Sequence, residues 1–229
     1  MSADMNANLE KLLKTLKKKH GDDGGVSAAE LFPDERLVDE TLLNETVVSL
    51  LLWESSISHA EKAFERIRSD LVDLNELRVC TPDELVAIMG PRMPKCAERA
   101  MRLITVLNTI YDRENALSLE PLREKNKRDV QAYLSTLDGL PLYAASRVIL
   151  FGMELHSFPL DERMAKKLAA EGIVTQGTAL DQQAAQLERG VRASDSLETY
   201  TLLEHWTQGA RSSSRKKTSD PKAVKGASS

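Results

Sequence analysis

Cysteines, aromatic residues and long apolar runs are all scarce in this 229-residue chain. The apolar stretch Val47 to Trp53 is far shorter than the roughly 18 residues that a membrane helix needs, so we expect no transmembrane segment. Cys80 and Cys96 are the two cysteines; they cannot form a four-thiolate iron-sulfur site, and a secreted disulfide framework normally has more. The N-terminus, with Asp4 and Glu10 and no apolar segment, does not look like a signal peptide. We therefore expect reduced cysteines and a cytoplasmic protein.

The chain also lacks a net positive charge, and its charges are unevenly distributed. The net charge is -4, but residues 211–229 contain six basic residues and one acidic residue, so the preceding part carries -9. A general attraction to a polyanion is absent from the body, and binding to DNA would need a local patch or the tail. The hydrophobic content of 41% is enough for a buried core.

Helical periodicity dominates the sequence and strand-like alternation is nowhere sustained, so we predict an all-α fold. The clearest helix start is Thr81-Pro82-Asp83-Glu84, which has an N-cap threonine, a first-turn proline and an acidic residue three positions on. Near the N-terminus, Leu9, Leu12 and Leu16 mark an apolar helix face that closes with Lys17 to Lys19. These lysines suit a helix C-terminus, where cations are favoured, and contact with phosphate is the alternative.

The stretch from residue 137 to residue 161 predicts a tight hairpin, a buried helix and then one acidic residue. Asp138-Gly139 is a turn dipeptide whose glycine can adopt a positive φ. Pro141 suits the first turn of the next helix, predicted from Leu142 to about Glu154 and apolar around most of its circumference. A further proline then disfavours helix, and Asp161 opens another helix that extends to Gly172.

This hairpin segment, Leu137-Asp138-Gly139-Leu140-Pro141, resembles the L-P-G-V-G hairpin of the helix-hairpin-helix DNA glycosylases, the endonuclease III-like superfamily. Asp161 lies 22 positions after Gly139, where that family has its catalytic aspartate in a V-D-x-H segment, here Leu160-Asp161-Glu162-Arg163. The resemblance implies two helical subdomains, a six-helix unit over residues 42–155 and a second formed by residues 1–41 with 156–210. The hairpin would flank the cleft between them.

The chemistry implied by this resemblance is hydrolysis of the N-glycosidic bond of a flipped-out damaged or mispaired base in double-stranded DNA. A carboxylate beside the sugar stabilises the oxocarbenium-like transition state and orients water, which is the role implied for Asp161. A helix N-cap is the structural alternative for the same residue.

Trp53, Glu54 and Tyr143 are the candidates for the base pocket, and a core or rim role is the alternative for the two rings. Glu54 stands where these enzymes often place an inserting glutamine, although a carboxylate there would face phosphates badly.

Bifunctional members of this family use a lysine six positions after the leucine that opens the hairpin, and here that position is Tyr143. A phenol cannot form an imine, so the resemblance implies a monofunctional enzyme without a lyase lysine. Lys166 and Lys167 follow Asp161 on the next helix and are interpreted as solvated.

Hairpins of this type, here Leu137 to Leu142, bind the phosphodiester backbone through main-chain N–H groups, often with a monovalent cation held on carbonyls. Asp138 replaces the family's proline, and Pro141 replaces its second glycine and removes a donor. No cysteine follows Cys96, so the resemblance implies no iron-sulfur cluster, and the cation at the hairpin is the one candidate cofactor.

These departures support a second hypothesis, a catalytically degenerate helix-hairpin-helix DNA-binding protein. A third is a helical interaction protein that keeps only the scaffold, because a fold does not fix a function. The expected partner is duplex DNA with a lesion or mismatch, bound by a monomer that would be nucleoid-associated in a prokaryote. Residues 211–229, rich in serine and lysine, are predicted to be a disordered basic tail.

Overall fold

The computed structural model of the protein describes residues 3–20 and 36–209, and within these ranges it consists of helices and loops without strands. The predicted all-α class is therefore confirmed. The predicted basic tail lies outside the described residues. The α-helices follow in the order α1 (Ala3–His20), α2 (Thr41–Leu52), α3 (Ile57–Asp70), α4 (Leu74–Val79), α5 (Pro82–Met89), α6 (Cys96–Glu114), α7 (Lys127–Ser135), α8 (Leu142–Arg147), α9 (Glu162–Ala170), α10 (Leu180–Gly190) and α11 (Ser196–Gln208).

Buried apolar side chains form two clusters. The first extends from Leu42 to Ile149 and is built by α2 to α8. The second combines Leu9 and Leu16 of α1 with side chains from Leu150 to Leu203, which lie on α9 to α11 and on the segments that precede and connect these helices. The predicted division into two domains remains a prediction, but the chain does change from one cluster to the other just after α8, next to the hairpin.

The first cluster contains one α-helix more than the six predicted for residues 42–155, because α4 was not foreseen. The Asp73 side chain caps it by accepting a hydrogen bond from the Glu76 amide at 2.9 Å. Six residues make less than two turns, too few for an apolar period to be recognised. The predicted start of α5 is confirmed: Thr81 and Glu84 form a reciprocal capping box.

The helix predicted from Leu142 to Glu154 is not one regular α-helix. α8 ends at Arg147, and residues Val148–Gly152 form a π-helical turn. Gly152 allows a close approach, since a Cβ there would lie 2.8 Å from Leu42 Cδ2. Glu154 then adopts a left-handed conformation with φ of 56°, which redirects the chain toward Asp161. No helix among the described residues is long and apolar enough to cross a membrane.

Candidate functional site

The hairpin between α7 and α8 has the conformation that its sequence predicts. Gly139 has φ of 83°, and a Cβ there would lie 3.3 Å from both the Arg102 carbonyl oxygen and Thr105 Cβ. Glycine is therefore required both for the turn and for the close approach to α6. Pro141 is the N-cap of α8 and offers no side-chain cap, so the first amides of α8 receive no cap from that residue.

Two arginines of α6 hold the hairpin by its carbonyl groups. Arg102 Nη1 donates to the Gly139 carbonyl at 2.9 Å. Arg113 donates to the Thr136 carbonyl and, at 2.8 Å, to the Thr136 hydroxyl. Guanidinium groups of the chain thus occupy positions on these carbonyls where a cation could bind. The monovalent cation at the hairpin would have to compete with them, and it stays a prediction.

Asp161, the residue predicted to be catalytic, is the N-cap of α9 and has no solvent-exposed surface. Its Oδ1 accepts a hydrogen bond from the Met164 amide at 2.9 Å. Its Oδ2 accepts from Arg163 Nε at 2.7 Å and from the Glu54 amide at 3.3 Å. Both oxygens are therefore engaged within the protein, and neither faces an open cleft. The arrangement matches the helix-cap alternative.

Arg163 covers the outer side of Asp161 and belongs to a buried polar network. Its guanidinium also contacts Glu204 Oε1 at 3.3 Å, and its side chain is 24% exposed whereas Glu204 is 1% exposed. Burial alone would lower the pKa of Arg163, but the Glu204 and Asp161 carboxylates outweigh it and raise the pKa. Arg163 thus stays charged at ordinary pH values.

The network continues beneath Arg163 to the hairpin helix. Tyr200 contacts Glu204 at 3.4 Å, Tyr143 contacts Tyr200 at 3.0 Å, and Arg147 Nη1 donates to the Tyr200 hydroxyl at 3.3 Å. Arg147 completes it with an ion pair to Glu45 of α2 at 2.9 Å. Mostly buried polar side chains therefore connect Asp161, through Arg163 and Glu204, to α8 and α2.

Tyr143, which the resemblance places where bifunctional enzymes have a lysine, belongs to this network through its contact with Tyr200. It is 2% exposed, and burial raises the pKa of its phenol, with a further contribution from the Glu204 charge. Its hydroxyl therefore stays protonated and hydrogen-bonded. In this structure the ring has no free face for a flipped base, and its stacking role remains a prediction.

Glu54, the second base-pocket candidate, points at the start of α9. Its Oε1 accepts a hydrogen bond from the Glu162 amide at 2.8 Å, near the Met164 amide that Asp161 caps. Burial raises the pKa of Glu54; the hydrogen bond from the Glu162 amide opposes this, and the charges of Asp161 and Glu162 add to the rise. The residue has a positive φ of 51°, an uncommon conformation for a glutamate. Its carboxylate is engaged in helix capping rather than held free for insertion into DNA.

Trp53, the third candidate, is 8% exposed and lies beneath three cations. Lys95 Nζ is 4.7 Å from the ring centroid, Arg102 Cζ is 4.6 Å away and Arg99 Cζ is 5.8 Å away. Such cation–π contacts stabilise the ring in place. No base can stack on it unless these side chains move, so its predicted role is not realised in this conformation.

Arg99 has a structural role that the sequence did not reveal. It is fully buried, and its guanidinium donates to the carbonyls of Leu50, Trp53 and Pro94. Burial lowers its pKa to about 10. The signal in the sequence was its position: Arg99 lies on the apolar face of α6, between the buried residues Cys96 and Ala100.

Two cavities in the described part of the protein lie away from Asp161. One, of about 410 Å³, lies beside the hairpin between α7 and α8, and the other, of about 510 Å³, lies between α4 and α5. Among the described residues, no group of three or more His, Cys, Asp or Glu side chains is arranged to hold a metal ion.

Comparison with solved structures identifies the fold. A trapped endonuclease III–DNA covalent intermediate matches with a TM-score of 0.67 and 11% identity, over 88% of this chain and 85% of that one. The H. pylori 3-methyladenine DNA glycosylase bound to 1,N6-ethenoadenine matches with a TM-score of 0.61 and 16% identity, over 89% and 99%. The Clostridium acetobutylicum 8-oxoguanine glycosylase/lyase in complex with DNA matches with a TM-score of 0.59 and 17% identity, over 88% and 68%. No family profile and no curated protein matches the sequence.

The chain therefore has the helical fold of the helix-hairpin-helix DNA glycosylases. Likeness at 11 to 17% identity establishes the fold alone. Activity has to be argued from the site.

Proposed function

We propose that this protein binds double-stranded DNA through its hairpin face and does not excise bases, because its glycosylase site is closed by its own side chains. The observation that carries the proposal is the complete burial of Asp161, with both carboxylate oxygens engaged by Met164, Arg163 and Glu54. Hydrolysis needs a carboxylate that reaches the sugar and a water, and this one reaches neither.

The free energy needed to expose Asp161 supports the absence of base excision. Separating one partner from a buried, hydrogen-bonded ion pair costs on the order of 3–5 kcal/mol, and the partial exposure of Arg163 places this pair toward the low end. About 3 kcal/mol corresponds to roughly one open molecule in two hundred. Displacing the Tyr143 and Tyr200 hydroxyls to admit a base would add to that cost, because a buried polar group left without a partner is unfavourable.

DNA binding is inferred from the fold and the hairpin together. The solved structures that share the fold include complexes with DNA. The hairpin keeps its glycine conformation, and two arginines of α6 fix its backbone. Asp138 places a negative charge near the phosphates and Pro141 removes an N–H donor, so we expect the hairpin to bind DNA with modest affinity.

A monofunctional glycosylase is the second candidate, and one observation favours it. Arg163, the side chain that covers Asp161 from the solvent side, is itself 24% exposed. Rotation of Arg163 toward a DNA phosphate would uncover Oδ2. Excision would then depend on DNA binding, and Tyr143 in place of lysine would leave an abasic site without strand cleavage.

The hairpin is tested with two glycine variants that impose the same backbone strain. Gly139→Ala places a Cβ against α6 at a φ of 83° and distorts the hairpin, whereas Gly177→Ala has a similar φ of 80° with open space around its Cβ. We expect Gly139→Ala to weaken binding to a duplex oligonucleotide at least tenfold and Gly177→Ala to leave it unchanged, as measured by fluorescence anisotropy. Equal affinities for the two variants, with both folded by circular dichroism, would contradict the assignment of the hairpin.

The activity is tested on duplexes that carry uracil, a thymine mismatch, oxidised pyrimidines, 8-oxoguanine or alkylated purines, followed by alkali. The proposal predicts binding without cleavage. Cleavage that Asp161→Asn abolishes would establish the second candidate instead. If the wild-type protein binds no duplex at any salt concentration, both candidates fail and the scaffold hypothesis remains.

A further inference from the structure

Helix α1 presents opposite faces to the protein and to solvent. Leu9 and Leu16 are 4% and 3% exposed and pack into the second core cluster. Lys11, Lys14 and Lys18 are exposed on the other side. At 3.6 residues per turn, these three lysines fall within an arc of about 60°, directly opposite the leucines. We call them the lysine ridge.

Acidic partners do not neutralise the ridge in the part of the chain that the structure describes. Lys17, beside it, forms an ion pair with Glu198 at 2.8 Å. Within residues 3–20 and 36–209, no acidic group lies within 4 Å of the three ridge lysines. Glu10, four positions before Lys14, is also exposed on α1, but among the described residues it forms no ion pair with a ridge lysine, and the three lysines outnumber it. The ridge is therefore a local positive surface on a negative protein.

The ridge is also held rigidly. Asn8 donates to the Gly172 carbonyl at 3.3 Å, and Lys17 is tied to α11 through Glu198. The apolar face of α1 packs against the rest of the protein, so it is not free to insert into a lipid surface. A fixed row of exposed ammonium groups fits a regular polyanion.

The spacing of the ridge suits a nucleic-acid strand. Residues 11 to 18 rise by about 10 Å along the helix axis. One strand of duplex DNA carries a phosphate about every 3.4 Å of its axis, so the ridge spans about three phosphates. Lysine side chains are long enough to adjust to their exact positions.

We propose that the lysine ridge is a second contact with the phosphate backbone of duplex DNA, independent of sequence and additional to the hairpin. This inference rests on the proposed DNA-binding function. The ridge supplies electrostatic affinity that the hairpin, with Asp138 near the phosphates, lacks. It assigns α1 a function that neither core packing nor helix capping provides.

The test compares two full-length triple variants that lose the same charge. The ridge variant is Lys11→Gln/Lys14→Gln/Lys18→Gln, and the control is Lys62→Gln/Lys125→Gln/Arg189→Gln, which removes three exposed cations elsewhere. Affinity for an undamaged 20-base-pair duplex is measured by anisotropy over a series of salt concentrations. Thermal unfolding establishes that each variant is folded.

We expect the ridge variant to reduce the slope of log K against log salt by about 2 to 3, at roughly 0.9 for each phosphate that the variant no longer neutralises. The control should change the slope by less than about 1. Equal slopes for the two variants, with wild-type binding intact, would overturn the ridge while leaving the proposed function standing. A wild-type protein that binds no duplex would overturn the proposed function itself.

A parallel arm uses vesicles of phosphatidylcholine with phosphatidylserine. Wild-type binding to these vesicles that disappears in the ridge variant, without any change in DNA affinity, would show that the ridge serves an anionic membrane, and the inference would fail. We expect no such vesicle binding.

Discussion

Replacing Asp161 with alanine tests whether this carboxylate is a structural cap or a catalytic group. The substitution removes the hydrogen bond to the Met164 amide and the ion pair to Arg163. Losing an N-cap costs about 1 kcal/mol, and removing one partner of a buried ion pair costs about 3–5 kcal/mol. Arg163 keeps Glu204 as a partner and is partly exposed, so we place the total at about 3–4 kcal/mol.

The loss of stability is measured by urea unfolding followed at 222 nm and by thermal unfolding. A chain of this size shifts its Tm by about 2–4 °C per kcal/mol, so we expect a decrease of roughly 10 °C. Asp161→Asn keeps an oxygen for the cap but not the charge, and it should lie between alanine and wild type. Glu162→Ala, the exposed acid that follows, is the matched control and should change stability by less than about 0.5 kcal/mol.

A stability that is unchanged or raised in Asp161→Ala would contradict a structural role for this carboxylate. That is the behaviour of an active-site carboxylate held at an energetic cost for catalysis. It would mean that the contacts to Met164 and Arg163 contribute nothing in solution, and that the site opens readily.

Three further predictions concern residues around the site. Glu54→Gln should gain stability relative to wild type as the pH rises above about 4.5. The pKa of Glu54 is raised in the folded protein, so wild-type stability falls as this proton is lost. Urea unfolding of both proteins at pH 4 and pH 8 measures the difference. Glu154→Gly should stabilise the protein by about 0.5–1 kcal/mol, because glycine accepts the left-handed conformation, whereas Glu154→Ala should not. Arg99→Met should cost about 3 kcal/mol or more in unfolding free energy, since it leaves the buried carbonyls of Leu50 and Trp53, and the partly buried one of Pro94, without this donor. A cost below about 1 kcal/mol would show that water replaces the guanidinium.

Local sequence signals predicted the parts of the fold that depend on neighbouring residues. Gly139 with its positive φ and the Thr81 capping box each involve a few adjacent positions, and both were recognisable. The sequence around Asp161 fits both a helix cap and a catalytic group, because one acidic residue before a helix suits either role. α4 was missed because six residues are too short to show a period.

The closure of the site could not be predicted, because it depends on residues that are distant in sequence. Arg163 meets Glu204 across 41 positions, and Glu54 meets Asp161 across 107. The sequence shows a tyrosine where the resemblance expects a lysine. It does not show that Tyr143 pairs with Tyr200, which is 57 positions away. Hydrophobic patterning indicates which face of a helix is buried, not which polar groups meet there.

A protein that binds duplex DNA while Asp161 stays buried should occupy lesion and mismatch duplexes without cleaving them. The most direct measurement is single-turnover incubation of the lesion and mismatch duplexes with excess wild-type protein, at a salt concentration where binding is saturated, followed by alkali. We predict no cleavage above the protein-free background for any duplex. Cleavage of one of them that Asp161→Asn abolishes, while binding persists, would contradict the account and identify an enzyme.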